Sequence, residues 1–178
     1  MPFEIILIAG LGLLAGLLVW AAVSDGLRMI IPNWIPLSIF ILFLAVQGLQ
    51  WVLGVTPPIL PFWSSLAVGG GALAVLTGLF ALNWMGGGDV KLIAATAFWA
   101  GTEYIFDFLF VMALAGGILS LFFILKQRMA LKNSQSKKVK SQTPANKKQR
   151  KTTYIPYGIA ISSGGLFVVN QILTFLLA

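Results

Sequence analysis

The chain reads as an all-α, polytopic membrane helix bundle. Of its 178 residues, 58% are hydrophobic and only 10% are charged, whereas about a quarter of a soluble domain is charged. Its mean hydropathy is +0.93. Uninterrupted apolar runs recur at lengths that cross a hydrocarbon core of about 30 Å. Six transmembrane helices are expected, forming one domain over residues 1–178.

The first span covers about Glu4 to Ser24 and carries Gly10, Gly12 and Gly16, small residues that let helices approach closely in lipid. It lacks a basic start, and an acidic segment stands where a signal-peptide cleavage site would fall, so it is expected to be retained. The second span, about Trp34 to Val55, follows Pro32, a residue suited to a helix start. Thr56-Pro57-Pro58 breaks the chain, and the third span covers about Phe62 to Trp84. The fourth, from Asp89 to Gly101-Thr102, has roughly 13 residues and would reach only about 20 Å. It is expected to be short, tucked or partly re-entrant. The fifth covers about Tyr104 to Leu125 and the sixth about Ile155 to Leu177.

Residues 126–151 hold ten of the twelve basic residues and no acidic one. Rich in Ser, Gln, Asn and Lys, they are expected to form a flexible loop that faces the cytoplasm by the positive-inside rule. The formal net charge of +7 would suggest nucleic acid in a soluble protein. Concentrated beside a membrane, it reads instead as a topology signal facing anionic lipid, and no nucleic-acid partner is expected. With this loop in the cytoplasm and six crossings, Asp25 and Asp89 both fall at the cytoplasmic face, with Arg28 and Lys91. Glu4, Glu103 and Asp107 fall at the opposite face, with both termini.

The chain has no cysteine and no histidine. Disulfides, thiol or imidazole catalysis, Cys/His zinc sites and a serine–histidine–aspartate triad are thereby excluded. Five acidic residues remain, and ionisable groups near lipid are functional suspects by default. Two stand in distinctive surroundings: Asp25 opens Asp25-Gly26-Leu27-Arg28-Met29-Ile30-Ile31-Pro32-Asn33, and Asp89 closes Met85-Gly86-Gly87-Gly88-Asp89 ahead of Val90-Lys91. Two carboxylates in one site can share a proton and activate water against a peptide bond without a metal or cofactor. The three glycines permit unusual torsions and close approach of an extended substrate strand. Lys91 supplies local positive charge or anchors a helix end. Each feature also has a plainer structural reading. Asp25 suits a solvated helix end, Asp89 an N-cap of the fourth span, Gly86–Gly88 a hinge, Arg28 an anchor, and Tyr154 and Tyr157 an interfacial aromatic belt.

Taken together, the segments resemble the type IV prepilin peptidase family. Gly86-Gly87-Gly88-Asp89 fits the GxGD motif of polytopic aspartic proteases, and Asp89-Val90-Lys91-Leu92 is similar to this family in particular. Asp25, followed by Ile31-Pro32-Asn33, agrees with the family's first motif, and Ile155-Pro156-Tyr157-Gly158-Ile159-Ala160 with the start of its last helix. The resemblance implies cleavage of the leader peptide of prepilins or pseudopilins at the cytoplasmic face of the bacterial inner membrane. Asp25 and Asp89 would be the catalytic pair, and Gly86, Gly87, Gly88, Lys91, Pro32, Asn33 and Pro156 would shape the substrate site. The chain resembles the short, peptidase-only branch serving tight-adherence (Flp) pili, which implies no methyltransferase activity. Larger members carry an added N-terminal domain, often with paired cysteines. The short branch often has more basic residues after the first aspartate than the single Arg28 here. The alternatives are a GxGD protease for another membrane substrate, a small transporter or channel using the carboxylates as a proton or cation site, and a structural membrane subunit or inactive relative. Membrane lipid is an expected partner. The sequence carries no signal for an oligomeric state.

Overall fold

In the computed structural model, which describes residues 2–54, 60–137 and 156–177, the chain forms five α-helices. They are α1 (Pro2–Arg28), α2 (Trp34–Val52), α3 (Phe62–Ala81), α4 (Gly87–Lys137) and α5 (Tyr157–Leu177). All five are long and apolar enough to cross a membrane, and the protein is a multi-pass membrane protein. The six-helix expectation, with a short fourth member, is corrected here. The segments expected as fourth and fifth spans are one element, α4, with a backbone break at Gly101 (φ 55°, ψ −162°) and no linker.

That break folds α4 back on itself. A Cβ on Gly164 of α5 would meet Phe108, and one on its neighbour Gly165 would meet Thr96. A straight helix would hold Thr96 and Phe108 about 18 Å apart. Ile93 likewise lines one cavity with Met112 and Gly116. The limb before Gly101 therefore runs parallel to α5, and the limb after it returns antiparallel. Residues 126–137 of the expected basic loop continue this second limb as helix, whereas residues 138–151 lie outside the described residues.

The first limb of α4 is the centre of the bundle. Every position from Leu92 to Gly101 is buried, as befits a helix that is apolar all round. Trp99 is fully buried and donates its indole N–H to the Ile39 carbonyl of α2 at 3.1 Å. The Phe43 ring stands 5.9 Å from it, edge-on, and Phe98 lies 4.9 Å from Phe40. In lipid, such packing rests on dispersion and close fit, because lipid tails are as apolar as the core. The fit is tight where Gly69 of α3 faces the Phe98 ring and where Gly165 faces Leu18 and Thr96, with no room for a Cβ at either glycine.

α1 turns one stripe inward: Leu7, Leu11, Leu14, Leu18, Ala21 and then Asp25 are all buried. Exposed apolar side chains such as Leu13, Trp20, Phe106 and Phe110 cover the outside, a surface suited to lipid. Exposed tryptophans mark both ends, Trp34 and Trp84 at one and Trp51 and Trp63 at the other, as at membrane–water interfaces.

Gly101 has a conformation open essentially to glycine alone, and a Cβ there would lie 3.1 Å from the Ser65 hydroxyl. Gly101→Ala is expected to destabilise the bundle by about 1–3 kcal/mol, seen as a lower midpoint on thermal unfolding in detergent. Gly12→Ala, where nothing lies within 4 Å, is expected to leave the midpoint unchanged.

Candidate active site

Asp25 ends the inward stripe of α1, which places its carboxylate inside the bundle, at 6% exposure. The sequence reading of Asp25 as a solvated helix end is therefore overturned by its position on the packed face. Just beyond it the helix stops. Met29 takes a left-handed conformation (φ 53°), and its N–H donates to the Asp25 carbonyl at 2.9 Å. The Ser24 hydroxyl donates to the Ile30 carbonyl at 2.9 Å and holds the turn. The segment then passes through buried Ile31 and half-buried Pro32 to exposed Asn33. Across the bundle, the Gly158 N–H in the first turn of α5 donates to Asp25 Oδ2 at 2.6 Å. A Cβ at Gly158 would sit 2.8 Å from that oxygen, so the approach requires glycine. Pro156, immediately before α5, is buried.

Asp89 lies in the first turn of α4, not at its N-cap as the sequence suggested. The helix starts at Gly87, and the Val90 N–H already donates to the Gly86 carbonyl at 3.1 Å. An acid in a helix's first turn faces the positive end of the macrodipole. The three preceding glycines do not use left-handed torsions, since the positive-φ glycines among the described residues are Gly54 and Gly101. Their smallness serves close packing instead. A Cβ would lie 3.2 Å from Asp89 Oδ2 at Gly86, 3.2 Å from the Phe80 ring at Gly87, and 3.2 Å from the Ile31 Cβ at Gly88.

The two aspartate segments meet at one end of the bundle. Gly88 packs on Ile31, and the Lys91 ammonium donates to Asn33 Oδ1 at 3.0 Å. Asp25, near the end of α1, and Asp89, near the start of α4, therefore stand at the same end of the bundle. Lys91 is thus tied to the first segment, and Arg28, the last residue of α1, is exposed. Glu103 and Asp107 follow Gly101, at the opposite end, and both are exposed. No group of three His, Cys, Asp or Glu side chains converges among the described residues. Two neighbouring carboxylates in a partly dehydrated setting can hold and move a proton.

A cavity of about 320 Å³ is lined by Met85, Ile93, Met112, Gly116 and Tyr157 among others; Met85 directly precedes the Gly86–Asp89 segment and Tyr157 directly precedes Gly158. Tyr157, expected in an interfacial belt, lines this cavity with its hydroxyl 3.5 Å from that of Ser120. Tyr154 lies outside the described residues. The sequence reading missed Gly158 and Ser24 as supports of Asp25. A usable signal was present for Asp25 itself, because the 4–3–4–3–4 spacing from Leu7 through Leu11, Leu14, Leu18 and Ala21 ends on it.

Helices of membrane-crossing length surround a pair of carboxylates, each at a helix end, which defines a polytopic membrane protein with an acidic site. The sequence profile of the Type IV leader peptidase family matches residues 12–121, more than half of the chain and both aspartate segments. The chain belongs to that family. No curated protein and no solved structure matches it.

The chain contains no cysteine, so the meeting of the two segments can be tested by cross-linking. Cysteines replacing Ile31 and Gly88 would have their Cβ atoms about 3.2 Å apart, near the ~3.8 Å typical of a disulfide. The pair is expected to oxidise readily in membranes, giving a mobility shift reversed by reductant. Cysteines at Gly12 and Gly88 are expected to remain free.

Proposed function

We propose that the protein is a membrane aspartic endopeptidase that removes the leader peptide of type IV prepilins or pseudopilins, of the Flp type in particular. Asp25 and Asp89 are the catalytic pair in this reading. The observation that carries it is the meeting of the Asp25 and Asp89 segments, from two separate helices, at one end of the bundle, through Gly88 on Ile31 and Lys91 on Asn33. The family match supports leader peptides as the substrate.

The chemistry follows from one proton held between two carboxylates. The ionised carboxylate takes a proton from water as the oxygen attacks the scissile carbonyl carbon. The protonated carboxyl hydrogen-bonds the carbonyl oxygen and polarises it. The tetrahedral intermediate collapses as the C–N bond breaks, and a proton passes to the leaving amine. Released are the leader, with a new carboxylate, and the mature chain, with a free amine. Gly86, Gly87 and Gly88 let an extended strand pass close to Asp89. Pro32, Asn33 and Lys91 form the facing wall, and Pro156 sets the start of α5. The activity proposed is peptide cleavage without methyl transfer.

We place this end of the bundle at the cytoplasmic face of the bacterial inner membrane. Support comes from charge: Arg28, Lys91 and, late in the returning limb of α4, Lys126 and Arg128 lie towards it, and the acidic Glu4, Glu103 and Asp107 lie towards the other end. The positive-inside rule orients such a protein with its basic end inward.

Asp25→Asn and Asp89→Asn are each expected to lower leader removal at least ~10³-fold, a loss on the scale of removing an acid–base group. The assay is co-expression with a prepilin and a gel shift, with membrane insertion unchanged. Cleavage by the double variant would sink the mechanism. For orientation, a cysteine at Asn33 is expected to resist an impermeant thiol reagent in intact cells, and one at Trp51 to be labelled. The reverse pattern would invert the topology.

A further inference from the structure

We propose that Gly158 is a positioning residue for the reaction, and that its backbone N–H assigns the two aspartates unequal tasks. The proposal rests on the peptidase reading. It concerns α5, which lies beyond the residues that match the family profile.

Three observations carry it. The Gly158 N–H is one of the donors that a helix's first turn leaves without an intrahelical partner, and it is spent on Asp25 Oδ2 at 2.6 Å. Asp25 is buried, at 6% exposure, so water does not replace that bond. The approach leaves no space for any side chain, since a Cβ at Gly158 would lie 2.8 Å from both Cβ and Oδ2 of Asp25. Asp89 is only half-buried, and its carboxylate has no comparable backbone donor among the described residues.

Both aspartates face a helix N-terminus, but among the described residues only Asp25 has a backbone N–H donor, and such a donor suits a carboxylate better than a neutral carboxyl. With Oδ2 occupied, Asp25 keeps Oδ1 to receive the proton of the attacking water. Asp89, free of that tether, carries the proton that polarises the scissile carbonyl. Gly158 touches neither water nor substrate in this scheme. It fixes the direction of the oxygen that does.

The test uses the full chain in nanodiscs and a synthetic peptide containing a prepilin leader and the start of its apolar helix. Gly158→Ala is expected to reduce kcat at least 100-fold per folded molecule, with KM within threefold of wild type. Gly164→Ala is the control. It is equally crowded, with its Cβ 2.7 Å from the Phe108 carbonyl, but lies away from the aspartates. It is expected to lower the folded yield and to keep wild-type kcat per folded molecule. Should Gly158→Ala fail to fold, an amide-to-ester replacement at residue 158, introduced by nonsense suppression with glycolic acid, removes the donor without adding volume. It is expected to lower kcat at least tenfold with KM unchanged. Wild-type kcat in the ester variant or in folded Gly158→Ala overturns the proposal, as does an equal kcat loss in Gly164→Ala. A wild-type protein that leaves the peptide intact instead overturns the peptidase reading, and this inference with it.

Discussion

A carboxylate on the packed face of a membrane helix must find a donor or be neutralised, and Asp25 finds one in the first turn of α5. Burying a charge without such compensation is prohibitive. The hydrogen bond therefore constrains more than one side chain. It fixes the start of α5 against the end of α1, requires glycine at position 158, and brings buried Pro156 beside the acidic site. With those two helix ends joined, α1 and α5 form one wall of the site, and the second aspartate must come from elsewhere in the chain.

It comes from α4, and the fold-back at Gly101 makes that possible. A single residue in a glycine-only conformation lets one continuous element supply both a buried central limb and a returning outer limb. The central limb carries Asp89 at its tip and is held along its length by Trp99, Phe98 and Thr96 packed against α1, α2, α3 and α5. Close packing of this kind has discrete arrangements rather than a continuum. Asp89 is consequently set by the bundle core, although it lies on the first turn of its helix. The glycines before it let Phe80 and Ile31 close in from either side.

Much of this was legible in the residues. Apolar runs and their breaks located α1, α2, α3 and α5 to within four residues at each end, because lipid-length hydrophobicity is a strong signal. The local sequences of Asp25 and Asp89 marked the pair, and the distribution of Arg28, Lys91, Glu4 and Asp107 suggested that both acids share one end. What failed depended on torsions and on contacts distant in sequence. Gly101-Thr102 was recognisable as a boundary, but a helix that reverses through one residue looks in sequence like two helices. Gly86–Gly88 suggested unusual torsions, whereas none has a positive φ, and Phe80 of α3 and Ile31 of the segment between α1 and α2 pack closely on Gly87 and Gly88. The bond between Gly158 and Asp25 spans 133 residues, and no local pattern reports it. The inward stripe of α1 did point to Asp25 as buried, through spacing alone.

If Asp25 and Asp89 act together on one water and one carbonyl, the site should bind a tetrahedral centre better than a planar amide. The most direct measurement is the affinity of the reconstituted protein for a leader peptide whose scissile amide is replaced by a hydroxyethylene group, compared with the unmodified peptide. The wild type should prefer the hydroxyethylene peptide by at least ~100-fold, and Asp25→Asn and Asp89→Asn should each lose that preference while still binding the unmodified peptide. Equal affinities for the two peptides in the wild type, or a preference that survives either substitution, would contradict a shared catalytic role for the pair.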